Sequence, residues 1–549
     1  MYIKQILIGL LAWSVFAFGY EGSIQLLLAF SILVLFPLIL SLTYQKRKER
    51  DWFLVMQPFF SIAGAGSLLF EPGLFSGFLA CLWLLFTCWP ACIGITRASV
   101  RGFRRMEENA IDASYVYMVV GGIWLVMSRS GVDGLPFSPV IVLLTAIHFH
   151  YSSLIVPSVT GLLGRYTYSE KRPIRGYGVL SSLVIIGPLL VGIGITVGGL
   201  FDIAFVAVYV LALCWLAVET IRVMIKSNVK LLAKVCIGVA SGISVFAMML
   251  SALYSSGVSF NRSFITIQDM VLFHGYTQAF GYSFLVLVGW LLIKPDPLFD
   301  FGEFRISHLR GKWKIGQTFL DQTKIIDENK PALGLIDQFD VFSRNDFEPS
   351  HVNKDIRDFY EKTNHYKMAA VTKWHGIYYY LSPIYHWLTG KIGQLHLQAA
   401  KKKAESQKMD AVIYQINESI DGRNPVRAWI RKDHVTKKEI FVAFYAYYFT
   451  EQKAYMDIAL PLPFSVMTGI LRPQHDSSNG LILTSFREPG SLGDEGVYLT
   501  IKRWTFRLPI EEYFHVKATG EPGNLVAVHE LFFLGMRCLT IDYEITCKL

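Results

Sequence analysis

None of the seven cysteines stands in a CxxC pair or at a disulfide-like spacing. That excludes a disulfide framework and the paired-cysteine metal and redox motifs, and reduced thiols are expected. There is no Walker loop, no glycine-rich nucleotide turn after a strand, no HExxH and no nucleophile elbow, so no catalytic constellation stands out. Carboxylates are scarce in the apolar runs of the N-terminal half. In the C-terminal half no apolar run reaches the roughly 20 residues that a bilayer requires. No cleavable signal peptide is expected, because the stretch from Gln5 to Tyr20 leads into a second apolar run, not to a small-residue cleavage site.

What is present divides in two. Overall, 52% of the 549 residues are hydrophobic and 17% charged, with a mean hydropathy of +0.38. This is too apolar for one soluble fold and too polar for a chain wholly buried in lipid. The break falls at Lys294-Pro295-Asp296-Pro297. The expected organisation is a transmembrane helical domain over 1–295, a linker and juxtamembrane segment over 296–350 (with Arg305, Arg310, Lys312 and Lys314 beside anionic headgroups) and a cytoplasmic, mainly β domain over 351–549.

Ten apolar segments are expected to span as helices, because only helices satisfy their own backbone in hydrocarbon. They run near 5–20, 24–43, 52–70, 74–96, 112–128, 138–160, 177–198, 203–224, 231–254 and 268–293. Alternate loops carry the basic residues: Lys46, Arg47, Lys48 and Arg50; Arg97, Arg101, Arg104 and Arg105; Arg165, Lys171, Arg172 and Arg175; Arg222, Lys226, Lys230 and Lys234. The intervening loops hold little beyond Arg129 and Arg262. This asymmetry places both termini in the cytoplasm and reads the net charge of +9 as a topology signal, not as a nucleic-acid footprint. Trp52, Trp89 and Trp290 suit the headgroup region. Glu219 is expected to pair with Arg222 one turn on, and no inverted repeat supports a transporter fold.

Histidine is the informative residue inside the spans. His148 and His150 lie in the sixth, in Ala146-Ile147-His148-Phe149-His150-Tyr151, and His274 in the tenth, in Phe273-His274-Gly275-Tyr276-Thr277-Gln278. Ionisable groups at that depth are costly and face an interior by default. Two residues apart on a helix is about 200° of rotation, so His148 and His150 cannot both address one ion. His148 and His274 begin at depths about 6 Å apart, and polar stripes continue from them to Ser152 and to Gln278 and Tyr282. The chemistry is therefore a metal, haem or small-ligand site on His148, His150 and His274, with Gln278 or Tyr282 supporting, or a proton relay. The competing reading is interhelical hydrogen bonding without a ligand. No particular cofactor follows from three histidines without cysteine or carboxylate neighbours.

In the C-terminal half, one amphipathic helix is expected over 353–366, followed from Ala411 by ten short strands. Asp421-Gly422, Asn479-Gly480, Glu488-Pro489-Gly490 and Glu521-Pro522-Gly523 mark turns between them. The fold class is thus an α-helical membrane bundle followed by a mainly β, barrel- or sandwich-like α+β domain, with either a filled core or a pocket for one apolar molecule. Asp494-Glu495 reads as a turn, and His515 and His529 as structural.

Two segments carry a resemblance. Ala146 to Tyr151 and Phe273-His274-Gly275 with Gln278-Ala279-Phe280-Gly281 resemble the signatures of the YndJ-like bacterial membrane proteins, where asparagine is expected at the place of Gln278. Trp429, Leu460-Pro461-Leu462-Pro463, Asp494-Glu495-Gly496 and the ending Phe533-Leu534-Gly535 to Ile541-Asp542-Tyr543 resemble a domain of unknown function found beside dehydrogenase-like proteins. The first resemblance implies a bacterial plasma membrane and brings no activity with it. Three function classes fit: a redox or lipid-modifying membrane enzyme, a lipid sensor or scaffold without cofactor, and a proton-coupled transporter.

Overall fold

The structure, a computed structural model, describes all residues except 1, 20–22, 45–50, 104, 133–136, 261, 263, 299–305, 327–331, 402–404, 451–452, 488–492, 503 and 549. Lys46, Arg47, Lys48, Arg50, Arg104, Arg305 and the Glu488-Pro489-Gly490 turn therefore lie outside the described residues. Two compact units form, one of Met1–Ala98 with Phe103–Phe299 and one of Ser99–Gly102 with Asp300–Leu549.

The first unit contains ten helices long and apolar enough to cross a membrane: Tyr2–Gly19, Ile24–Thr43, Trp52–Leu69, Leu74–Arg101, Met106–Arg129, Pro139–Ser169, Tyr177–Val197, Leu200–Lys226, Leu231–Ser259 and Ile267–Ile293. The second span is the pillar of the bundle. Almost all of it is buried, because the first, third, sixth and tenth spans pack around it. Trp290 is corrected by the structure: it is fully buried and meets Tyr166 edge-on, so it packs the core and does not mark an interface. Trp52 and Trp89 are open on the bundle surface.

The sixth span runs on to Ser169, beyond the expected end at 160, and is interrupted at Ser152–Leu154 between helical runs Pro139–Tyr151 and Ile155–Ser169. Its extension holds Arg165, read from sequence as a loop charge. The charge can be buried there because Glu108 pairs with it. Two other spans also leave regular geometry, with wide π turns at Ser31–Leu35 in the second and at Met270–Gly275 and Thr277–Phe284 in the tenth.

The second unit is an antiparallel β-barrel. Its strands are β1 (Tyr366–Trp374), β2 (Ser406–Gln415), β3 (Val426–Asp433), β4 (Glu439–Thr450), β5 (Lys453–Leu462), β6 (Ser465–His475), β7 (Leu481–Thr484), β8 (Gly496–Ile501), β9 (Trp504–Arg507), β10 (Ile510–Ala518), β11 (Asn524–Phe533) and β12 (Met536–Cys547). The hydrogen-bonded order β5-β4-β3-β2-β1-β12-β11-β10-β7-β6 closes through β5–β6, and β8 and β9 extend from β6. Closure leaves the ring without a raw edge.

Alternation decides the two faces. On β4, Ala443 and Tyr445 point into a core that also draws Met368, Trp429, Met456, Leu471, Val516, Ala527 and Tyr543 from around the ring. Val442, Phe444 and Ala446 point outward under Ile315, Phe319 and Leu320, which belong to or adjoin helix Gly316–Thr323. The expected helix over 353–366 is shorter, Lys354–Glu361, because the chain tightens at Thr363–His365 and Tyr366 opens β1.

Candidate intramembrane histidine site

Irregular helical backbone inside a bundle needs outside partners for the groups it leaves unbonded, and such stretches recur at functional sites. Here the partners come from the same span and from neighbouring ones. The amides of Ser152 and Ser153 both donate to the His148 carbonyl, at 2.8 and 3.4 Å. Ser31, in the π turn of the second span, donates to the His150 carbonyl at 2.8 Å. The Tyr151 hydroxyl donates to the Leu27 carbonyl at 2.7 Å. All three imidazoles of the bundle sit in or beside these irregular segments.

They have different surroundings. His150 is buried and fully committed: its Nδ1 donates to the Ala146 carbonyl at 2.8 Å, and its Nε2 accepts the indole N–H of Trp83 at 3.0 Å. His148 donates from Nδ1 to the Leu144 carbonyl one turn back, at 2.7 Å, with its ring on the open side of the helix. Nδ1 of His274 lies 2.9 Å from the Ala247 carbonyl and 3.1 Å from Ser251 Oγ, both on the ninth span. A carbonyl only accepts, so the proton of each ring is on Nδ1 and each Nε2 carries a lone pair. Among the described residues neither His148 Nε2 nor His274 Nε2 has a hydrogen-bond partner.

Gln278 is half-buried one turn beyond His274 and makes no side-chain hydrogen bond among the described residues. Tyr282 is separate. It is buried against a closed void of about 10 Å³ lined by Val159, Thr220, Ser241 and Ser244, room for about one water. Of the five residues singled out from sequence, His148 bonds back to its own helix, His274 bonds to the ninth span with Gln278 one turn beyond it, His150 is engaged by Ala146 and Trp83, and Tyr282 lies at a separate void. Among the described residues no three His, Cys, Asp or Glu side chains converge as a metal-ligand set.

Beside His274 the ninth and tenth spans part to leave an open groove of about 550 Å³. Its walls are Gly242, Ile243 and Phe246 on one side and Tyr276, Thr277, Phe280 and Gly281 on the other. The glycines matter, since a side chain at Gly281 would meet Ile243 at 3.0 Å. Thr277 joins groove to histidine: its hydroxyl lines the groove wall and lies 3.1 Å from the His274 carbonyl.

A second polar cluster escaped the sequence reading. Glu108, with no exposed surface, receives Arg97 at 2.5 Å and Arg165 through Nε and Nη2 at 2.6 and 2.7 Å, while Arg97 Nε approaches Asp112 at 3.1 Å. Arg97 and Arg165 are thus not loop charges but members of a buried network. The signal was in the sequence, as three carboxylates (Glu107, Glu108, Asp112) in the first two turns of the fifth span. Glu219 pairs with Arg222 at 2.7 Å, as expected.

Comparison with known proteins gives one family and one relative. A family model described as YndJ-like protein matches residues 26–282, the segment holding all three histidines. The uncharacterized membrane protein YndJ of Bacillus subtilis (strain 168) is 34% identical over 471 residues, covering 86% of this chain and 84% of that one. No solved structure matches.

Proposed function

Because the chain belongs to the YndJ-like family of membrane proteins, we propose that it is a multi-pass plasma-membrane protein, both termini cytoplasmic, whose bundle holds one membrane-soluble small molecule at His274 and His148. The carrying observation is the open apolar groove of about 550 Å³ whose wall includes Tyr276 and Thr277, two and three residues after His274, whose Nε2 is unspoken for among the described residues. An apolar body would lie between Phe246 and Phe280, and a hydroxyl or other donor on its head would be met by Nε2. Gln278 supplies a further amide at the same level. In this reading 296–350 is the linker, and the domain over 351–549 is the cytoplasmic part that meets a partner, its own interior being filled by side chains.

One observation favours a second reading. An imidazole held by Nδ1–H on a carbonyl presents Nε2 in the way metal-bound histidines do, and both His148 and His274 are held so. The same experiment separates the two readings. Full-length protein purified in mild detergent is extracted for bound organic molecules and measured for absorption and metal content. A stoichiometric apolar compound, lost in His274→Ala and in Gly281→Leu but kept in His150→Ala, supports the groove. A Soret band or stoichiometric metal lost in both His148→Ala and His274→Ala replaces it with the metal reading. Neither compound nor metal overturns both.

A further inference from the structure

Helix Ile377–Ile392 of the barrel unit is turned inside out relative to an ordinary surface helix. Ser382, Tyr385 and Thr389 face the barrel, held by hydrogen bonds: Ala400 N to Ser382 Oγ at 2.8 Å and Tyr385 hydroxyl to the Leu395 carbonyl at 2.8 Å. The opposite stripe, Ile377, Tyr380, Leu381, Ile384, Trp387 and Leu388, is exposed, with Tyr380 at 78% and Ile377 at 64%. Spacings of three and four residues put these six on one face. Anchoring a helix by its polar side leaves its apolar face for something else.

A second element continues the patch. The turn between β11 and β12 carries Phe533, Leu534 and Met536, all exposed, with Leu534 at 64% in the left-handed region (φ 52°) that turns its side chain out. Tyr378 meets Phe533 at 6.4 Å, so helix and hairpin tip adjoin. Contiguous exposed apolar surface of this extent marks an interaction site.

We propose that this two-element patch is a lipid-docking surface, seated in the headgroup region of the bilayer that holds the chain's own ten spans. Charge and composition choose that occupant. The helix has no carboxylate, and its one permanent charge is Lys391, whose Nζ lies 3.8 Å over the Trp387 ring. Lys373, paired with Asp542 at 2.7 Å, precedes it, and Lys401, paired with Glu405 at 2.6 Å, follows it, both about half-exposed, so that with Lys391 the basic residues flanking the helix complement anionic headgroups. Tyr379, Tyr380 and Trp387 are the exposed amphipathic rings that favour the interface, and such a helix lies in the membrane plane with its apolar face roughly 5–10 Å deep. Covalent continuity with the spans keeps the bilayer at high effective concentration, so weak individual contacts suffice.

The test uses full-length protein in nanodiscs of mixed phosphatidylcholine and phosphatidylglycerol. Nitroxide labels go on single cysteines at Ile384→Cys, Leu388→Cys and Leu534→Cys in a cysteine-free background, with Val435→Cys, on the exposed β3–β4 turn, as the aqueous control. Relaxation by lipid-soluble oxygen is expected to exceed relaxation by a water-soluble nickel chelate several-fold at the three patch positions, and to fall below it at 435. Nickel dominance at the patch overturns the proposal. So does exclusion of both relaxants, which means protein covers the patch, a second copy included. If the cysteine-free protein fails to fold, benzoylphenylalanine at 384 and 534 in the native-cysteine chain keeps the test: lipid adducts support the proposal, and protein adducts or none overturn it.

Discussion

Trp83 donates its indole N–H to Nε2 of His150 across 3.0 Å, joining the fourth and sixth spans where both side chains are buried. With Nδ1 on the Ala146 carbonyl, the contact engages both ring nitrogens, which supports a structural role for His150. Gly121 of the fifth span allows it, since a Cβ there would stand 2.8 Å from the imidazole Cε1 and Nδ1.

The consequence is measurable in detergent by thermal unfolding. His150→Phe leaves a buried indole N–H unpaired and should cost about 1–3 kcal/mol. Gly121→Ala should cost a similar amount by displacing the ring, with no hydrogen-bonding group removed. His148→Ala, on the open side of its helix, should leave the midpoint close to wild type. Equal losses at 148 and 150 would contradict this division of roles.

Glu108 carries the second prediction. Two arginines converge on one carboxylate without exposed surface, so Glu108→Gln leaves buried cations uncompensated, a loss on the order of 3–5 kcal/mol. Arg165→Lys should also be poorly tolerated, because an ammonium cannot reproduce the two-pronged contact through Nε and Nη2. Glu219→Gln, whose partner Arg222 is largely exposed, should change stability by less than about 1 kcal/mol. Recovery of folded protein and its melting temperature check all three.

The ten spans were legible because hydrocarbon requires long apolar helices, and the barrel class because turn residues punctuate alternating strands. Particular residues hid the rest. Ten strands are expected and twelve form among the described residues: β6, with Gly469 and Pro473 inside it, is one of the two not expected, and near Arg472 its neighbour changes from β8 to β7, where a proline is tolerated. β1 was partly absorbed into the amphipathic helix before it. Helix Ile377–Ile392 was passed over because Pro383 interrupts it and its apolar stripe faces outward. The Trp83–His150 bond joins residues 67 apart, and the Arg97–Glu108–Arg165 network looked like loop charge. Pairing between distant residues leaves no local pattern to read.

In the barrel unit, Asp457 is held by Arg423 Nη1 at 2.7 Å, and the same guanidinium grips Asp421, to which Ser307 also donates. Burial, with the Asp421 charge adding and Arg423 opposing, pushes the Asp457 carboxyl up to about 6. A carboxyl raised on folding binds its proton more tightly in the folded state. Its contribution is therefore most favourable at acid pH, is lost as pH rises from near 4 through 6, and stays constant above. Hydrogen exchange of β5 amides, corrected for intrinsic pH dependence, should show protection falling across that window in the wild type. Asp457→Asn should flatten that part of the profile, and an unchanged slope would show that Asp457 does not set it.

The orientation of the bundle gives the last prediction. Burial of Arg97, Arg101 and Arg165 removes three charges from the basic side, but Arg129, the main exception on the other side, is also not a loop charge. It is buried, and its guanidinium donates to the Ser67 and Phe70 carbonyls at the end of the third span. The asymmetry therefore survives: Arg104 and Arg105, then Lys171, Arg172 and Arg175, then Arg222, Lys226, Lys230 and Lys234 stand against Arg262. Basic residues close to span ends are retained on the cytoplasmic side. Reporters fused after Tyr44, Arg105, Lys171 and Lys226 should report cytoplasm, and those within 131–134 and 255–260 should report the exterior. With ten spans the C-terminal barrel then shares the side of the N-terminus. A cytoplasmic signal from 255–260 would break the alternation at the ninth span and, with it, the assignment of the barrel to the cytoplasm.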